Sequence, residues 1–429
     1  MLLRVLLLVT SPILSVFLLS VADSFFVTLV SLRLKDIGYS ETLIATITSA
    51  YCIGTLVGSF YATRFIFKVL HIRAFAAFAA VLAISSMLQG FLQDYCFWIM
   101  LRFCCGAAIY SLYIVVESWL LELSNTKSRG QILSIYTIGL YSAQVISQQF
   151  LQYTGVDTLL PYCITGIIIC LSIIPISLTS SEAPKMEQIH TSELSLKKLF
   201  NLAPLGVVTC ILGGAVVRSL YTFLPLAAEN LGYNTQQIGN TMSTLGLGAM
   251  LLQYPIGKLS DMYPRKRVIF WLAFNLVVTS SLCIFTSSIY TLFLLSILLL
   301  GGSSFTLYTI GVTYACDFVE QKDIVPATSG LLFFYGSGAV IGPYFQPVFT
   351  SLYENSGHAV FALSSCVGLI LIAYCFVNKR REISPNSPMH QEHINVSHTT
   401  PIANELDPRS DDLNNDDNNN NDNEIESSS

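Results

Sequence analysis

From residue 6 to residue 377 the chain alternates long apolar runs with short polar breaks. The runs average about 20 residues, enough to cross a ~30 Å hydrocarbon layer as helices. Nothing in them follows the strict two-residue alternation of a membrane barrel strand. Twelve spans are predicted, over 6–30, 42–63, 73–93, 96–121, 130–152, 160–179, 203–226, 236–257, 267–286, 290–315, 325–350 and 358–377. The first run has signal-peptide flavour but lacks a small-x-small cleavage site and continues past Asp23, so it is expected to stay as a helix.

Composition agrees. The chain has 429 residues, 53% of them hydrophobic and 11% charged, where soluble domains carry about 25%. The net charge of −5 belongs to the end of the chain, because residues 401–429 carry −8 and the rest +3. The eleven cysteines form no CxxC pair and no ligand spacing with histidine, so neither a metal nor a cofactor is expected. Nothing suggests a nucleic-acid partner. Lysine and arginine set the orientation. With the N-terminus inside, seventeen fall in inner segments and only Arg33 and Lys35 in outer loops. Both termini are therefore expected in the cytoplasm, the protein a multi-pass monomer of the plasma (bacterial inner) membrane with the lipid bilayer around it.

The sequence repeats itself. At an offset of 194, Gly38 and Tyr39 meet Gly232 and Tyr233, Ile44 meets Ile238, Gly54 meets Gly248, and Arg73 meets Arg267. At an offset of 200, the stretch from Arg129 matches the stretch from Ser329. The prediction is an all-α integral membrane protein with twelve transmembrane helices in two pseudo-symmetric six-helix bundles, the plan of repeat-built transporters. Its parts are an N-terminal bundle over 1–179, a cytoplasmic linker over 180–202, a C-terminal bundle over 203–378 and an acidic, disordered tail over 379–429.

Two motifs carry a family resemblance. "GKLSDMYPRKR", Gly257 to Arg267, resembles the cytoplasmic signature of the major facilitator superfamily, and "RFCCGAA", Arg102 to Ala108, is similar to its fourth-helix motif. "VVESWL", "SRGQILSIY" and "GLLFFYGSGAVIGP" resemble the bacterial YcaD-like branch. The resemblance implies the major facilitator fold and a role for Arg102 in coupling. It also implies close crossings of the second and eleventh helices through Gly54, Gly58, Gly338 and Gly342, and of the fifth and eighth through Gly139, Ala143, Gly246 and Gly248. The first half lacks the acid of the signature, since Phe67 stands where Asp261 should.

Ionisable groups within the spans are costly and few: Asp23, Arg102, Glu117 and Arg218. Asp23 and Arg102 are expected at similar depth, ~9–12 Å below the outer surface at ~1.5 Å per residue. They form either a static ion pair or a proton-coupling pair, burial and the guanidinium pulling on the carboxyl in opposite senses. Arg102, Gly106, Ile109, Tyr113 and Glu117 fall within about 80° of a helical wheel, so one cavity-facing stripe carries both charges. Arg218 shares a stripe with Tyr221 and awaits either an anionic substrate or a carboxylate, for which Asp23 is a candidate. Tyr141, Gln144 and Gln148 line one face of the fifth helix, as cavity or as interhelical contact, and Thr306 marks the tenth. The substrate cavity is thus assigned to Arg218, Tyr113, Tyr141, Gln144, Gln148, Tyr221 and Thr306. The cytoplasmic gate is assigned to Gly257, Asp261, Arg265, Lys266, Arg267, Glu117, Arg129 and Asp317. Asp261 is expected at the start of the fifth helix, and Glu117 against Arg64, Lys68 or Arg129.

No phosphate-binding loop or catalytic motif occurs, which disfavours ATP-driven pumping and enzymatic activity. The leading expectation is a secondary active transporter for a small-molecule substrate, working by alternating access with protons as the coupling ion, in drug or metabolite efflux. Proton-coupled metabolite uptake is the alternative, since the fifth helix lacks the Gly-Pro element of the family's drug antiporters. A non-transporting sensor or scaffold is the alternative of another class.

Overall fold

The computed structural model describes the backbone of residues 2–123, 129–178, 195–319, 323–353 and 356–378. Most of the expected linker and all of the acidic tail lie outside the described residues, as do the side chains of Glu122 and Arg129.

Twelve long helices follow one another: α1 Leu2–Asp36, α2 Glu41–Val69, α3 His71–Phe91, α4 Tyr95–Leu123, α5 Arg129–Ser147, α6 Leu160–Ser177, α7 Pro204–Asn230, α8 Thr235–Met262, α9 Arg265–Thr286, α10 Tyr290–Cys316, α11 Ile324–Ile341 and α12 Ala359–Val377. A short helix, Leu196–Leu202, precedes α7. Among the described residues, α1–α4, α6, α7, α9, α10 and α12 are long and apolar enough to cross a membrane by composition. Of the others, α5 and α8 are diluted by glutamine, serine and glycine, and α5, α8 and α11 each meet a helix of the opposite half.

The repeat is visible in backbone detail. α1 ends where Gly38 takes φ 92°, with Tyr39 N–H bonding back to Leu34 O; α7 ends where Gly232 takes φ 86°, with Tyr233 N–H bonding to Ala228 O. Glycine is needed at both because a side chain resists this left-handed helix ending. The Tyr39 hydroxyl then donates to Gln93 O and the Tyr233 hydroxyl to Ser287 O, equivalent bonds across the repeat. Ser40 caps α2, and Asn234 with Gln237 forms a capping box on α8.

Each half packs alike. α2 lies on α4 and α8 on α10; α1 on α5 and α7 on α11; α3 on α6 and α9 on α12. Gly54 faces Phe103 and Ala107, and Gly106 faces Tyr51 O; in the second half Gly248 faces Leu298 and Gly302, and Gly301 faces Leu245 O. Gly54 and Gly248 thus tighten their own half, which corrects the expectation that they join the halves, whereas Gly246 does meet Val145 and Gln144 of α5 across the interface as expected. Gly338 and Gly342 face Ile211 and Ala215 of α7, and Gly139 faces open space. Backbone contact this close leaves no room for a methyl group, so the small residues tighten each bundle internally.

Between the halves run α1 with α7, α2 with α11, and α5 with α8. Their predicted outer ends are joined by polar contacts. Lys35 pairs with Glu229 at 2.9 Å and donates to Asn230. Thr350 donates to Glu41 at 2.6 Å, Ser49 to Val340 O at 2.7 Å, and Gln149 to Asn240 and Ser243. The fifth helix of each half tightens near this end, α5 into a 3₁₀ turn over Gln148–Tyr153 and α11 into one over Gly342–Phe345, ahead of the short helix Gln346–Leu352. Pro343 and Pro347 account for the second break, since neither can donate to the preceding turn.

Candidate functional site

The site is built around Tyr51 of α2. Its hydroxyl donates to both oxygens of Asp23 on α1, at 3.1 and 2.9 Å. The Arg102 guanidinium of α4 lies 4.4 Å from the centre of its ring, and that of Arg218 from α7 lies 4.7 Å away. Arg102 also stands 5.5 Å from the Phe26 ring. Three helices of the first half and one of the second thus meet at a single side chain. A phenol suits the place, because its ring face attracts cations while its hydroxyl serves an anion.

Neither guanidinium closes an ion pair with Asp23 within 4.0 Å among the described residues, although both lie within its electrostatic reach. The expected direct pair of Asp23 and Arg102 is therefore replaced by an arrangement mediated by Tyr51. Sequence reasoning missed Tyr51. The available signal was its place three residues before Gly54, which brings α2 hard against α4 and so sets the ring beside Arg102.

Several polar atoms around this centre are buried without a partner. They include Nε and Nη1 of Arg102, Nε and Nη2 of Arg218, the Tyr221 hydroxyl, and Oε1 of Gln144 and of Gln148. Tyr221 lies near Arg218, Tyr113, Tyr141 and Tyr335. Tyr335 of α11 was not anticipated. Tyr113 contacts Ser20 at 3.3 Å and reaches Asp23 electrostatically.

Other expected cavity residues are engaged elsewhere. Tyr141 donates to Gln253 of α8 at 2.6 Å, a bond between the halves. Gln148 donates to Ser24 O at 3.0 Å. Thr306 is buried and donates to Gly302 O on its own helix, so its hydroxyl is turned away from a ligand role.

At the opposite end of the second half, Arg265 is buried and donates to Asp317 and, at 2.7 Å, to Thr313 O. Asp261, near the end of α8 and four residues earlier across the break to α9, stands 3.8 Å from it. Lys266 donates to Asn378 O at 2.8 Å. Gly257 is buried, one turn before Asp261 on α8. Arg267 opens α9 beside them. The expected meeting of Asp261 with the start of α5 falls on residues 124–128, outside the described residues, and the Arg129 side chain does so too. In the first half His71 replaces Arg265, and its Nε2 contacts Ser118 at 3.1 Å, the counterpart of the contact to Thr313. Glu117 is fully buried and accepts from Tyr136. Arg64 and Lys68 are exposed and neither is paired with it among the described residues, while the third expected partner, Arg129, has its side chain outside them.

The chain's relatives agree with this architecture. Proteins named "Uncharacterized MFS-type transporter YcaD", from Salmonella enteritidis and Salmonella typhimurium, are 27% identical over 375 residues, covering 87% of this chain and 96% of theirs. A solved structure of a variant of the nucleoside transporter NupG superposes with a TM-score of 0.74 at 13% identity, over 86% of this chain and 98% of that one. A D-xylose–proton symporter gives 0.68 at 13% identity, over 88% and 98%. The family profile of the Major Facilitator Superfamily matches residues 13–239 and 218–406. The chain belongs to the Major Facilitator Superfamily and, within it, is similar to the YcaD-like relatives.

Proposed function

We propose that this secondary transporter is proton-coupled, with Asp23 as the group that takes up and releases the proton. The carrying observation is the shared ring of Tyr51. It links Asp23 and Arg102 of the first half to Arg218 of the second. A charged Asp23 attracts both guanidiniums and holds the halves together at this point. Protonation removes that attraction and leaves the two guanidiniums repelling each other across the ring. The charge state of one carboxyl thereby biases the relation of the halves, which is what alternating access requires. One protein of similar fold is described as a D-xylose–proton symporter, so the fold accommodates such coupling.

Residues 1–179 and 203–378 are the two moving bodies in this reading, joined by the linker over 180–202. Both termini face the cytoplasm, and the protein works as a monomer in the plasma membrane. Lys35 with Glu229 closes the outer face. Gly257, Asp261, Arg265, Lys266, Arg267 and Asp317 form the cytoplasmic gate, with Glu117 and Arg129 opposite them. Arg218, Tyr113, Tyr221 and Gln144 face the solute. Tyr141 and Gln148 hold helices together. Substituting Asp23→Asn is expected to abolish flux driven by a pH gradient in reconstituted vesicles; undiminished flux would remove the role assigned to Asp23.

A further inference from the structure

Three charged side chains share the centre of the molecule, and they do not balance. Asp23 is the carboxylate that lies near both Arg102 and Arg218. Arg102 is 1% exposed, yet its Nε and Nη1 have no partner. Arg218 leaves Nε and Nη2 buried and unpartnered, with the Cys52 thiol beside it. Glu117 lies further along α4 and is engaged with Tyr136. A guanidinium that is withdrawn from water and lacks a counter-ion is costly in a membrane protein. Its unused N–H groups form a planar fork suited to two oxygens of one acid.

The surroundings suit the rest of such a molecule. Tyr221 presents a buried hydroxyl without a partner, and Tyr113, Tyr141 and Tyr335 lie near it. Tyr221 packs edge-on against Phe305 at 5.7 Å. Gln144 of α5 leaves its amide oxygen unpartnered where its side chain meets Gly246 of α8 across the interface. Such a wall offers ring faces and a few hydrogen bonds around one cationic end.

We propose that Arg218, with Arg102 behind it, receives the carboxylate of a small organic monocarboxylate whose body lies against the tyrosines of the central cavity. This rests on the transporter reading and names the substrate class for the same site. Asp23 and the ligand carboxylate then compete for the same two guanidiniums. Binding of the acid favours the protonated form of Asp23, so solute and proton enter the site together.

The test is equilibrium binding without flux. The full chain in lipid nanodiscs is titrated with benzoate, 4-hydroxybenzoate, indole-3-acetate and lactate, each alongside its neutral amide, and thermal unfolding is followed. At least one acid is expected to raise the melting temperature while its amide does not. Arg218→Gln should weaken that acid by about tenfold or more, the loss of a charge-assisted contact, while Arg218→Lys retains part of the binding. Without ligand, Arg218→Gln should melt no lower than the parent, because it removes an uncompensated charge. The proposal is overturned if no acid in the panel binds, if amides bind equally well, if Arg218→Gln binds as the parent does, or if its ligand-free melting temperature drops sharply. Solute-driven proton movement in vesicles by non-acidic solutes would defeat the substrate class and leave proton-coupled transport standing.

Discussion

Lys35 and Glu229 occupy the same position in the two repeats, at the offset of 194, and they pair with each other at 2.9 Å. α1 and α7 therefore meet across the pseudo-two-fold axis through equivalent residues of opposite charge. Exposed pairs of this kind contribute only about 0–1 kcal/mol. That is small for folding but sufficient to bias two conformations of similar energy. Lys35→Glu should shift the protein toward outer opening with little loss of melting temperature. The double exchange Lys35→Glu with Glu229→Lys should restore the parent distribution. Distances between spin labels on the outer ends of α2 and α11 report it, and a double variant no different from the single one would deny the pair a gating role.

The glycine contacts give a contrast that can be measured. A methyl group at Gly54 would collide with Phe103 O, and one at Gly248 with Leu298 O. Gly54→Ala and Gly248→Ala should each cost about 1–3 kcal/mol through overpacking. Gly139 meets nothing within 4 Å, so Gly139→Ala should be neutral or gain up to about 1 kcal/mol from helix propensity. Denaturation of the three variants in detergent decides this.

Asp317 and Asp261 should behave differently although both face Arg265. Asp317 is buried against it, whereas Asp261 is partly exposed at 3.8 Å. Asp317→Asn leaves a buried guanidinium without its carboxylate and should cost about 3–5 kcal/mol. Asp261→Ala should cost under about 1 kcal/mol and instead slow conformational cycling. Stability and the labelling kinetics of an engineered cavity cysteine separate the two effects; equal kinetics in Asp261→Ala and the parent would count against the latch.

Much of the fold was legible in the sequence because membranes impose a simple rule: long apolar helices, with basic residues on one side. The offset of 194 carried over to Gly38 and Gly232, to the bonds of Tyr39 and Tyr233, and to the packing of Gly54 and Gly248. Asp23, Arg102 and Arg218 stood out for a related reason, since charge is rare at that depth. What mediates between them did not. Tyr51 reads as one more aromatic residue among 21 tyrosines, and only the seating of Gly54 on α4 shows which way it turns. The direction of Gly54, Gly58, Gly248, Gly338 and Gly342 was misread because a spacing of four marks a close crossing without naming the helix crossed, while Gly246 does face α5. Thr306 was misassigned because a threonine in a helix can satisfy itself on its own backbone.

The central claim is that Asp23 couples proton movement to solute movement. The most direct measurement loads proteoliposomes with the pH dye pyranine and adds metabolites and drugs one at a time, comparing the parent with Asp23→Asn. The account predicts that at least one solute changes the internal pH in the parent and that none does so in the variant. A solute that moves protons equally well in both would contradict it.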